Sequence, residues 1–96
     1  MGATTFGCIT RGQTAQEAFR TARQDAEWKH GHDGYTGTVA EKQSFVMITV
    51  PQDRDPIQYA DQLIDEGDSR IDDKWGPAGC VRVGEDGYYF FGWASC

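Results

Sequence analysis

Apolar positions recur along this chain with two different periods, and the changes of period mark out the elements. Ala15, Ala18, Phe19, Ala22 and Ala26 share one narrow stripe if the segment is helical. Thr14 precedes them with Glu17 three residues on, the spacing of a capping box. Gly31 is a stop, and Lys29 and His30 suit the negative end of the helix dipole. Asp55-Pro56 predicts a second helix, with a cap followed by a first-turn proline. Its stripe is Ile57, Ala60, Leu63 and Ile64, and Gly67 closes it. Elsewhere the pattern alternates or runs apolar. Ala3 to Thr10, Tyr35 to Glu41, Phe45 to Val50, Cys80 to Val83 and Tyr88 to Ala94 read as strands. Phe45 to Val50 is apolar on both sides, which predicts a central strand. Residues 68–79, with Trp75-Gly76-Pro77, form a long irregular connection.

The resulting order is β-α-β-β-α-β with one more strand. It predicts a single α+β domain over residues 1–96. The first six elements match a ferredoxin-like βαββαβ arrangement. That fold has an antiparallel sheet with strands one and three in the middle and both helices on one face; the additional C-terminal strand would extend an edge. In that last strand Tyr89, Phe91 and Trp93 alternate with Tyr88, Phe90 and Ala94. Two helices on one face leave the other bare, and three rings left in water forfeit roughly 1.5–3 kcal/mol of burial each. The expectation is that the bare face meets a second copy, giving a homodimer, or another partner. Otherwise the 68–79 loop, with Trp75 turned inward, covers it.

Charge narrows the classes of partner. The chain holds 15 acidic and 9 basic residues, a formal charge of -6. It lacks the basic footprint that nucleic acid or an anionic membrane requires. Eight of the acids lie between positions 53 and 73, offset there only by Arg54 and Arg70. Asp65, Glu66, Asp68, Asp72 and Asp73 are therefore candidates, with Tyr89, Phe91 and Trp93, for docking a partner protein. No apolar run is long enough to span a bilayer, and no signal-peptide pattern opens the chain. Cys8, Cys80 and Cys96 are an odd count with no CxxC pair, which reads as free thiols in a reducing cytoplasm.

The segment from His30 to Thr38 concentrates the candidate chemistry. Its glycines and threonines can offer amides and hydroxyls to an anion, and His30 or His32 titrates near neutrality. The candidate ligand-binding set is His30, His32, Tyr35, Thr36 and Thr38 with Lys42, Lys74 and Trp75. Neither a P-loop nor a dinucleotide fingerprint is present, so no cofactor is expected. Cys8, His30, His32 and Asp33 lack a second paired-ligand motif, so no metal is expected either. The alternative reading is a small enzyme acting on a nucleotide or phosphorylated metabolite. It would combine the His/Tyr/Thr turn with Asp72, Asp73 or Lys74 across a dimer seam.

The runs Ala3 to Phe6, Thr14 to Phe19, Gly31 to Lys42 and Asp65 to Cys80 occur together. In this the chain resembles a family of small uncharacterised bacteriophage and bacterial proteins with a Gly-Tyr-Thr-Gly-Thr-x-Ala-Glu-Lys stretch, here Gly34 to Lys42. The resemblance implies an intracellular accessory protein, phage-borne, that works by binding a host component. It assigns no residue a role. The sequence thus predicts a non-catalytic binding module that engages a host protein or sequesters a small anionic ligand.

Overall fold

Each helix starts where a side-chain oxygen meets an exposed backbone amide. In the computed structural model, which describes residues 3–30 and 38–95, the Thr14 hydroxyl accepts from the Glu17 N–H at 3.1 Å and opens helix α1, Ala15–His30. The Asp55 carboxylate accepts from the Gln58 N–H at 3.0 Å and opens α2, Pro56–Glu66. Gly67 closes α2 in the left-handed conformation (φ 67°), donating to Ile64 O. The strands are β1, Ala3–Arg11; β2, Phe45–Met47; β3, Ala78–Val83; and β4, Gly87–Ser95.

These strands form one mixed sheet in the order β1-β4-β3-β2. β4 runs antiparallel to both β1 and β3, and β2 runs parallel to β3. The architecture is α+β, but the arrangement differs from the expected ferredoxin-like one. The terminal strand is central rather than an added edge, and β1 and β2, expected in the middle, are the two edges. The strand expected over Tyr35 to Glu41 is not found in its described part. There Thr38 caps a single 3-10 turn, Val39–Glu41, by accepting from Ala40 N–H. Residues 35–37 lie outside the described residues.

The helices also occupy opposite faces, not one. Ala18, Phe19, Ala22 and Ala26 of α1 are buried with Cys80, Tyr88 and Phe90. Ala60 and Leu63 of α2 are buried with Val81 and Phe91, and Tyr89 packs beside them. Alternate residues of β3 and β4 thus feed two separate cores. The topology accounts for this. The β1-α1-β2 connection crosses the whole sheet, and β2-α2-β3 returns in the opposite direction. Two parallel crossovers of the same hand that travel in opposite directions place their helices on opposite faces.

Burial of both faces explains the misleading pattern of residues 45–50. Phe45 packs on α1's side, against Phe19 and Phe90 with centroids 5.0 and 5.7 Å away. Val46, Ile48 and Val50 pack on α2's side. On α1's side only Phe45 is covered, Met47 being 50% exposed, yet one ring there and three residues on the other side make an edge strand read like a central one. Glycine makes room for the largest rings of β4. A Cβ at Gly79 would stand 2.6 Å from Phe91 Cζ, and one at Gly7 would strike the Tyr89 hydroxyl.

The bare aromatic face expected from the sequence is therefore absent. α2 roofs Phe91, which is fully buried, and Tyr89 is half-buried. The 68–77 connection contributes Ile71 to that core, at 1% exposure. Trp75, which turns inward in one of the two readings of this loop and lines a binding wall in the other, is 65% exposed.

Candidate functional site

Lys42 is the one charged side chain buried among the described residues, at 2% exposure. It follows the 3-10 turn, and its backbone N–H donates to Val39 O at 2.9 Å. Its ammonium reaches under the loop that leads from α2 into β3 and donates to the carbonyl oxygens of Lys74 and Gly76, both at 2.9 Å. The Phe6 ring lies on another side, 5.9 Å from Nζ. Burial pushes the ammonium below the usual lysine range, against the opposing pull of Glu41 and Asp73. Lys42, a candidate for ligand binding in the sequence, here holds a loop.

That loop is fixed by further contacts. The Asp73 carboxylate accepts from Trp75 N–H at 2.9 Å, and Asp73 O accepts from Gly76 N–H at 2.9 Å. Ala78 N–H donates to Ser44 O at 3.0 Å where the loop enters β3. The Trp75 indole is thus carried outward on a rigid turn, with the Lys74 ammonium 5.2 Å from its ring.

Trp75 stands at the rim of an open cleft of about 610 Å³. It is lined by Arg23 and Glu27 of α1, by Ala40, Glu41, Gln43 and Ser44, and by Lys74 to Pro77. Arg23 donates to Ala40 O at 3.4 Å and lies 4.0 Å from Glu27. Its Nε is buried without a hydrogen-bond partner. Sequence reasoning found Lys74 and Trp75 but missed Arg23, Glu27 and Gln43. Their only signal was a place off α1's apolar stripe or in a turn. It also missed Trp28, on α1's outer side and 88% exposed.

The remaining expected residues are scattered. His30 ends α1. His32, Tyr35 and Thr36 lie outside the described residues. The Thr38 hydroxyl caps the 3-10 turn. Asp68 holds Arg70 through two carboxylate contacts at 2.9 Å, and this pairing lowers its pKa to about 2. Glu66 accepts from Gln62 at 2.8 Å, and Asp72 is exposed. Asp65 and Trp93 meet in a second hollow, with Thr5, Asp61 and Ile64. Tyr89 and Phe91 stack at 5.7 Å beneath α2, so Phe91 offers no surface to a partner.

Nucleophilic chemistry finds little support in the two thiols among the described residues, Cys8 and Cys80. Burial raises the Cys80 pKa to about 12 and also raises that of Cys8, where Asp25 adds to the effect. Among the described residues no three His, Cys, Asp or Glu side chains converge as a metal site. No helix among them is long and apolar enough to cross a membrane.

Fold and cleft together define a four-stranded α+β domain that presents an aromatic side chain on a clamped loop. Comparison with protein-family models, curated proteins and solved structures returns no match.

Proposed function

We propose that this chain is a non-catalytic binding module, a phage-type accessory protein that engages a host protein through the cleft beneath Trp75. The observation that carries this reading is the pairing of an indole 65% exposed with a loop that the buried Lys42 ammonium ties down at two carbonyls. An exposed tryptophan is costly to display and is a frequent anchor of interfaces. A loop already fixed loses little entropy when the partner covers it. Around the ring, Arg23, Lys74, Glu27, Glu41 and Gln43 supply donors and acceptors of both signs. That mixture suits the polar rim of a protein interface better than the pocket of a small anion.

The test is affinity capture from a bacterial lysate, followed by calorimetry with the purified captured protein. Trp75→Ala is expected to weaken binding at least about tenfold, as loss of a central aromatic anchor does. Reversal of Asp65 and Asp72 is expected to leave it nearly unchanged. Retention of the partner by Trp75→Ala overturns the cleft as the interface, and its loss on charge reversal places the interface on the acidic surface instead.

A further inference from the structure

We infer that β1 is a dimer seam: its outer edge pairs antiparallel with β1 of a second copy, and Arg11 of each copy enters the acidic hollow of the other. β1 is nine residues long and stands at the end of the sheet. Among the described residues no backbone–backbone hydrogen bond reaches its outer side. Proteins blunt such an edge with charge, proline or a bulge. From Ala3 to Thr10 this one carries neither charge nor proline, and its pairing with β4 runs unbroken from Ala3 to Arg11.

The side chains on the edge favour one register. Phe6 and Cys8 pack toward α1, so Thr5, Gly7, Ile9 and Arg11 point to the other face. On that face Thr5 lines the hollow formed by Asp61, Ile64, Asp65 and Trp93, whose lining holds two carboxylates and no cation. Arg11 of the same chain cannot fill it, being six positions along the strand, about 20 Å away. In a twofold pair in which Cys8 faces its own counterpart, Thr5 lies opposite the second copy's Arg11. Residues of equal parity face each other, so that guanidinium lies on the face that holds Asp61 and Asp65. The relation is reciprocal, as a twofold interface requires.

The same register gives a place to Ile9, which is 56% exposed. Ile9 falls opposite the second copy's Gly7, the position over which the Tyr89 ring lies. Its side chain then rests against that ring instead of water. The result is a continuous eight-stranded sheet with both α1 helices on one face and both α2 helices on the other. This dimer does not depend on the Trp75 cleft, which lies on the opposite side of the sheet order, beside β2.

Sedimentation and oxidative cross-linking test it. The chain is expected to sediment as two copies and to dissociate as salt is raised. In a Cys96→Ser background, copper–phenanthroline is expected to give a covalent dimer that Cys8→Ser abolishes. Facing residues of an antiparallel pair lie about 4.5–5.5 Å apart at Cα, within disulfide reach. Arg11→Glu is expected to raise the dimer dissociation constant at least about tenfold, and adding Asp65→Arg to recover most of that loss. Ile9→Lys, an exposed change that leaves the fold intact by circular dichroism, is expected to give monomers. A monomer at all concentrations overturns the inference. So does a dimer indifferent to Arg11→Glu and Ile9→Lys, or one that cross-links without Cys8.

Discussion

The Lys42 ammonium donates to the Gly76 carbonyl oxygen at 2.9 Å, across 34 positions of sequence. With its bond to Lys74 O, it joins the end of the 3-10 turn to the loop that carries Trp75. Removing the charge while keeping the volume leaves two carbonyls without their partner, at about 1–3 kcal/mol each, offset by the relief of a buried charge. Lys42→Met is therefore expected to lower stability by about 1–3 kcal/mol in urea unfolding. Amide exchange should quicken at residues 74–76 and not in β4.

Packing around Gly79 gives a second expectation. A methyl group there would meet Phe91 Cζ at 2.6 Å and Ile71 Cγ2 at 2.9 Å. Both side chains are buried, at 0% and 1% exposure, and have nowhere to go. Gly79→Ala is expected to cost about 1–3 kcal/mol, the usual range for overpacking. Gly67→Ala would have open space but a strained left-handed backbone, and is expected to cost about 1 kcal/mol. Paired melts of the two variants separate crowding from backbone strain.

Those local features were legible where the signal is local. The capping residues Thr14 and Asp55, the proline that opens α2, Gly67 and both apolar stripes can be read from a few neighbouring residues, and all stand as expected. Strand order could not be read this way. Phe45 to Val50 looks central because Phe45 packs on α1's side and Val46, Ile48 and Val50 on α2's, although it pairs on one side only. Tyr88 to Ala94 looked like an edge because it comes last, and it is central because β1 returns to pair with it along its whole length. Lys42 shows the same limit in the site: nothing in Glu41-Lys42-Gln43 says that its ammonium will lie under residues 74–76.

Alkaline pH should destabilise the fold through Cys80. Burial holds its thiol at a pKa of about 12, against 9.0 for the ordinary group. The folded state thus keeps a proton that the unfolded chain gives up. The stabilisation is complete below pH 9 and is lost progressively as pH rises toward 12, at about 1.4 kcal/mol per unit at most. Tyr89, raised by burial, acts in the same direction, and Lys42, lowered by burial, acts oppositely. The measurement is therefore a difference. Between pH values of about 8 and 10, Cys80→Ala is expected to lose less stability than the parent chain.

Acid acts through Asp68, by the opposite sign. Hydrogen bonding from Arg70 lowers its pKa from 3.8 to about 2. Its contribution is present above pH 3.8 and disappears as pH falls toward 2. Arg70 is 44% exposed and solvent screens the pair, so the contribution is at most about 1 kcal/mol. Asp68→Asn is expected to remove that acid-sensitive increment and to change little near neutrality beyond it.

Two residues of one loop separate stability from binding. Ile71 is 1% exposed within the core beneath α2, and Trp75 is 65% exposed four positions later. Ile71→Ala opens a cavity among Val81, Leu63 and Phe91, and is expected to cost about 2–5 kcal/mol. Trp75→Ala removes a ring that already faces water, and is expected to stay within about 0.5 kcal/mol of the parent in thermal or urea unfolding. If the indole is an interface anchor, the order reverses in a binding measurement. Trp75→Ala then loses the partner while remaining folded, and Ile71→Ala, assayed below its melting temperature, keeps it. A large stability loss in Trp75→Ala would instead make the ring part of the loop's own structure and remove the main support for the cleft as a docking site.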